Sequence, residues 1–245
     1  MIKLLKYDLR RNANLLFGVM AVLILAELAL IFWTTLALQL RIGLGIFFFG
    51  LAGAVLTINN MKVFDYNIHS VSRRLLPVRS LSYVWSSLVY GLLNNLVVLL
   101  IGVGFGFYWY SQDNSELWSG SGLSFYFWSM VSAEVIFSVL FAYLMLYMII
   151  ALARSITKKG VFWVGLLLYM VIAIAIDWID RILFDSNSGQ PLFLVNTFRA
   201  QDGALPNTST NSVLLTYGQI AFHLLLCIVF LLVIKWCVEK RIEAK

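Results

Sequence analysis

The chain has 245 residues, of which 61% are hydrophobic and only 12% charged, with a net charge of +6 and a mean hydropathy of +0.88. Soluble domains are about 45–50% apolar and ~25% charged, so this composition excludes an ordinary soluble enzyme. The positive balance reads as the Lys/Arg excess of membrane-protein loops, with no nucleic-acid partner implied.

A helical crossing of the hydrocarbon core takes about 20 apolar residues, and every backbone N–H and C=O inside must pair within the protein. Long apolar runs without period-2 alternation exclude a transmembrane barrel. The expected fold is all-α, a polytopic membrane protein with six transmembrane helices in a single domain, 1–245.

In chain order, Ile2, Leu5 and Leu9 recur at helical spacing while Lys3, Lys6 and Arg10 take the other side. This pattern predicts an amphipathic interfacial helix over 1–13, although a charged leader that simply holds the N-terminus is also open. Span 1 is expected over 15–38 and span 2 over 42–59, with Gln39, Leu40 and Arg41 as the connection. In the following segment, 60–82, Phe64, Ile68, Val71 and Leu75 share one helical face. Asp65, His69, Ser72, Arg73 and Arg74 lie on other faces, and Pro77 ends the pattern. A helix there either docks into a partner's groove or closes the loop at the interface. Spans 3 to 6 are expected over 83–110, 124–153, 161–178 and 214–238, with 179–213 as the longest connection. Pro77, Pro191 and Pro206 all fall between spans.

Of the 18 Lys and Arg residues, only Arg41, Arg181 and Arg199 fall on the side opposite both termini. Asp113, Glu116, Asp177, Asp180, Asp185 and Asp202 also fall there. Cationic loops stay in the cytoplasm, so both termini are expected inside a cell membrane. Trp33, Tyr108, Trp109, Tyr110 and Trp178 then sit at outer ends, and Tyr83, Trp85, Trp163 and Trp236 at inner ends, as interfacial anchors.

Four polar residues are expected near the midplane: Glu27 in span 1, Asn94 and Asn95 in span 3, and Glu134 in span 4. A lone carboxylate there costs at least about 2.5 kcal/mol, so each should face the bundle interior or a partner. The asparagines are candidate hydrogen-bond partners for the carboxyls. The four are read either as a structural polar layer or as candidate lining of a substrate path. Gly43, Gly45, Gly50 and Gly53 in span 2 suit close helix approach.

No catalytic, cofactor or metal motif stands out. G-x-x-x-x-G-K-[ST] is absent, so ATP phosphates are not held by that loop. His69 and His223 are too few for a typical zinc site. Cys227 and Cys237, about 15 Å apart along one helix, cannot bridge within it.

The order of parts resembles the membrane subunit of an ABC exporter of the ABC-2 class. A basic amphipathic start, MIKLLKYDLRRN, precedes six spans with both termini inside. A loop with helical patterning, FDYNIHSVSRRLLPVRSLSYVWSSL, separates spans 2 and 3, and the largest external stretch separates spans 5 and 6. The resemblance covers essentially the whole chain. It implies that 64–76 is a coupling helix that grips a cytoplasmic ABC ATPase subunit. Phe64, Ile68 and Val71 would pack into its groove, while Asp65, His69, Arg73 and Arg74 would make charged contacts. It further implies a second permease, identical or paralogous, and a bacterial plasma membrane. ATP and Mg would be bound only by the partner subunit, so the chain itself is not expected to be an enzyme. The substrates left open are a peptide, an antibiotic or an amphiphile. A stand-alone immunity, sensor or assembly protein without ATP coupling is the alternative reading.

Overall fold

The computed structural model describes residues 2–69, 80–112, 125–157, 160–184 and 210–240. Each apolar run forms one long helix: α1 (Ile2–Phe32), α2 (Leu38–His69), α3 (Ser80–Gln112), α4 (Phe125–Ile156), α5 (Val161–Phe184) and α6 (Thr210–Lys240). All six are long and apolar enough to cross a membrane. The described residues are therefore all-α, with six helices of membrane-spanning length. The helices fall into two compact units, 1–67 with 82–122, and 68–81 with 123–245.

The element ends differ from the sequence pattern in informative ways. No separate interfacial helix precedes span 1, because α1 runs unbroken from Ile2. Neither glycine nor proline interrupts residues 2–17, and Asn12 Nδ2 donates to the Asp8 carbonyl one turn back, at 2.9 Å. Leu4 and Asp8 are the buried positions of this stretch, with Leu5 and Leu9 half-buried beside them.

The connection between α1 and α2 lies at 33–37 rather than 39–41. Trp33 N–H still bonds the Ala29 carbonyl, at 3.0 Å, but Thr34 N–H turns to Phe32 O, at 2.9 Å. Two adjacent β-branched threonines, stiff at χ1, suit such a break. Ala37 O accepts from Arg41 N–H at 3.1 Å, which opens α2 and puts Gln39 and Arg41 inside its first turns. The polar side chains that marked a turn are carried by a helix end instead.

At its other end α2 continues through His69, so Phe64–His69 extend the spanning helix and do not begin a separate one. Val71, Arg73, Arg74 and Pro77 lie outside the described residues, as does most of 179–213.

In the first unit, α1, α2 and α3 alternate in direction. Asp8, Asn67 and Ser87 meet at one end, and Glu27, Gly45 and Trp109 meet toward the other. In the second unit, α4 packs chiefly on α6, then on α5, while α5 and α6 meet least. Close approach comes from small residues: a Cβ at Gly165 would touch Ile149 Cγ2 at 3.8 Å and Ala153 Cβ at 3.9 Å. Gly160 makes the bend between α4 and α5 at φ +75°, a conformation disfavoured for residues with a Cβ. Its carbonyl accepts from the third and fourth N–H groups of α5, Trp163 at 3.1 Å and Val164 at 3.3 Å.

Candidate functional site

The polar groups of the first unit form three tiers. In the tier nearest the N-terminus, Asn67 Nδ2 donates to Asp8 Oδ2 and to Ser87 Oγ, each at 3.1 Å. All three residues are buried, and Ser86 is buried beside them. One carboxamide thereby ties α2 to both neighbouring helices. Its own Oδ1 and the Ser86 hydroxyl have no partner among the described residues. Lys6, Arg10, Arg11 and Lys62 are exposed around this level, and the Arg11 guanidinium lies 4.0 Å from the Tyr66 ring centroid. Desolvated cation–aromatic contacts of this kind contribute ~2 kcal/mol and exposed ones about 0.5–1.

The second tier is carried by asparagines. Asn59 Nδ2 donates to the Tyr90 hydroxyl at 2.7 Å, joining α2 to α3. Asn60 and Asn94 are buried; neither Asn60 Nδ2, Asn60 Oδ1 nor Asn94 Nδ2 has a protein partner. In a membrane, polar side chains of this kind hold helices together by hydrogen bonds worth ~0.6 kcal/mol on average.

The third tier surrounds Glu27. Its carboxyl accepts from Trp109 Nε1 at 3.4 Å. It also lies against Gly45, where a Cβ would meet Oε1 at 3.0 Å and Oε2 at 3.2 Å. Glycine at 45 is what admits the carboxyl between α1 and α2. Arg41, one turn from Gly45, holds its guanidinium 5.6 Å from the Trp109 ring centroid. Both Glu27 Oε1 and Arg41 Nε are buried without a partner among the described residues.

The second unit carries its own polar contact. His223 Nε2 of α6 lies 3.7 Å from Asp180 Oδ2 of α5, with the Phe141 ring 4.9 Å and the Phe222 ring 5.5 Å from the imidazole. Asp177 and Arg181 pair nearby on the exposed side of α5, at 2.8 Å.

Several expectations change against this geometry. Glu27 and the asparagines do not share a midplane layer. Because α1 ends at Phe32, Glu27 sits only five residues, ~7.5 Å, from its end. Glu27 is instead level with Trp109, which lies 15 residues, about 22 Å, along α3 from Asn94. Its donor is the indole, so no asparagine serves that carboxyl. Asn95 is half-buried, and Glu134 lies in α4 with its side chain outside the described ones.

Among the proposed ATPase contacts, Phe64 and Ile68 are buried, which removes them from an exposed docking face. Asp65 and His69 are half-buried, and the exposed positions here are Lys62 and Tyr66. Val71, Arg73 and Arg74 fall outside the described residues.

Trp109, expected as an interfacial anchor, is buried, whereas Trp33, Trp85, Trp163, Trp178 and Trp236 are exposed. Of the span 2 glycines, Gly45 has a close neighbour among the described residues, whereas Gly43, Gly50 and Gly53 have none within 4 Å.

Asp8, Asn59, Asn60, Asn67, Ser86, Ser87 and Tyr90 were missed as a group. Their signal was recurrence: 83, 86/87, 90 and 94 keep one face of α3, as 56, 59/60, 63/64 and 67 do on α2. Among the described residues no group of three or more His, Cys, Asp or Glu side chains is placed to hold a metal ion. No protein-family model matches the chain, and neither a curated protein nor a solved structure matches it.

Proposed function

We propose that the chain is the permease subunit of an ATP-driven exporter of the ABC-2 class. It lies in a bacterial plasma membrane with both termini cytoplasmic, pairs with a second permease, and takes its energy from a separate ABC ATPase. A peptide, an antibiotic or an amphiphile is the substrate. The orientation is supported by the bias of Lys and Arg toward one set of loops.

The observation that carries this reading is the junction of Asp8, Asn67 and Ser87 at the end of a 32-residue α2. A helix of that length spans about 48 Å, well beyond the ~30 Å hydrocarbon core. Its last turns therefore reach the cytoplasmic side, where Asn67 binds them to α1 and α3. Force applied by an ATPase at 70–79 enters three helices together through that junction. Because Phe64 and Ile68 are buried, the partner is met by Lys62, Tyr66 and His69 along with Val71, Arg73 and Arg74.

The test is purification of the affinity-tagged full chain from its host in mild detergent. A co-eluting ATPase with a G-x-x-x-x-G-K-[ST] loop is expected, and Val71→Asp with Arg74→Glu should lower its recovery at least about tenfold, roughly 1.4 kcal/mol. Recovery of the folded chain with no such ATPase would overturn the reading in favour of a stand-alone membrane module.

A further inference from the structure

Helices α2 and α3 run antiparallel with a register that the structure states twice. Asn67 bonds Ser87 at one end. Twenty-two residues away along each helix, Gly45 and Trp109 both touch Glu27. Seven residues from the first contact, two helical turns in each direction, the same register brings Asn60 opposite Asn94.

Both residues belong to the core of the first unit, with Asn60 0% and Asn94 4% exposed. Asn94 shares a side-chain hydrogen bond with Tyr90, while Asn60 Nδ2 and Oδ1 and Asn94 Nδ2 have no partner among the described residues. A buried amide group left without partners is costly to a fold. Two donors and one acceptor, Asn60 Nδ2, Asn94 Nδ2 and Asn60 Oδ1, thus stand without partners at this level.

Along α3, Tyr90 with its Asn59 partner lies between Asn94 and Ser86; Asn67 Oδ1 and Ser86 Oγ, also without partners among the described residues, stand about 10 Å from the pair. In the other direction, Ala52, Leu56 and Leu23 are buried before the Glu27 tier is reached.

We propose that Asn60 and Asn94 form a site for a neutral hydrogen-bonding group, a carboxamide or hydroxyl of a solute or water itself, entered past Asn67 and Ser86. The chemistry selects that class. Amides and hydroxyls both donate and accept, and no acidic or basic side chain of α2 or α3 is among the described buried ones at this level to favour an ion. Water bridging such groups makes about three hydrogen bonds per molecule. The site is independent of ATP coupling, so failure to recover an ATPase would leave it untouched.

Single variants Asn60→Cys and Asn94→Cys, made in the full chain in membrane vesicles, test this with methanethiosulfonate ethylammonium and peptide mapping by mass spectrometry. Labelling of both within about tenfold of exposed Lys62→Cys is expected, with Leu56→Cys about a hundredfold slower, since access to reagent decides thiol reactivity. Slowing by added acetamide would assign the site to solute amides, and no slowing would assign it to water; either supports it. Labelling as slow as that of Leu56→Cys would overturn it. Should the cysteine variants fail to fold, hydroxyl-radical footprinting of the unsubstituted chain decides. Tyr90 should be oxidised faster than Tyr147, which is equally buried, and equal protection of the two would refute the site.

Discussion

The two halves of the chain solve the same packing problem with different chemistry. In α1–α3 the described core includes Asp8, Glu27, Asn59, Asn60, Asn67, Ser86, Ser87 and Asn94; in α4–α6 the described buried polar residue is His223. The second unit instead interleaves Phe141 with Phe230 at 5.6 Å, stacks Tyr143 on Tyr147 at 6.1 Å, and seats Gly165 against Ile149 and Ala153. Lipid tails are as apolar as leucine, so helix association in a membrane rests on van der Waals fit or on interhelical hydrogen bonds. The first unit leans on bonds that specify register, and the second on contact area that specifies distance.

That contrast gives an ordered set of expectations. Phe141→Ala should be the most damaging, because it opens a void beside His223 and Phe230. A loss of about 3 kcal/mol is expected, as for buried Phe→Ala in general, read as a lowered thermal midpoint in detergent. Asn67→Leu should follow, at about 1–2 kcal/mol, since two interhelical bonds disappear together and each is worth ~0.6 on average, with a maximum near 1.7. If Asn67→Leu proved costlier than Phe141→Ala by the same assay, the division into a bonded and a packed unit would have the ranking wrong.

Gly160→Ala should cost about 1 kcal/mol, because alanine at φ +75° is strained even though open space surrounds it. Loss of the helical-hairpin bend would show as faster proteolysis between α4 and α5. The sharpest comparison lies within a single helix. Gly45→Ala should loosen the Glu27 tier and raise solvent quenching of Trp109 fluorescence, while Gly53→Ala, facing open space, should change stability by no more than about 0.5 kcal/mol. Equal responses from the two would show that Glu27 does not depend on glycine at 45.

Helix number and class were legible because length and hydropathy alone decide them in an apolar solvent. Termini were not. Gln39 and Arg41 looked like a turn, yet the backbone breaks five to six residues earlier at Thr34 and Thr35. That shift moves Glu27 from the middle of its helix toward the end and changes its partner from asparagine to indole.

Asp8 was hidden by its neighbours. Among Lys6, Arg10 and Arg11, an acid reads as solvated, and nothing local reveals that Asn67 lies 59 positions further along. Asn60 and Asn67 fell in the 60–82 segment, where the helical face was counted from Phe64, Ile68 and Val71, so the face shared by the two asparagines went uncounted. Trp109 sat where an interfacial ring belongs, and only the fold shows its N–H turned inward. Long-range register is the missing quantity in each case, and it emerges only when helices pair.

The tie between Trp109 and Glu27 also sets a timetable for synthesis. Their positions differ by 82 residues, so α1 enters the bilayer well before its indole donor leaves the ribosome. Until then the acid side chain must find lipid headgroups, water or a membrane chaperone. Nascent chains cut at residue 106 should therefore be cleared by membrane proteases faster than chains cut at 112, a difference that pulse-chase labelling would measure and that Trp109→Phe should abolish.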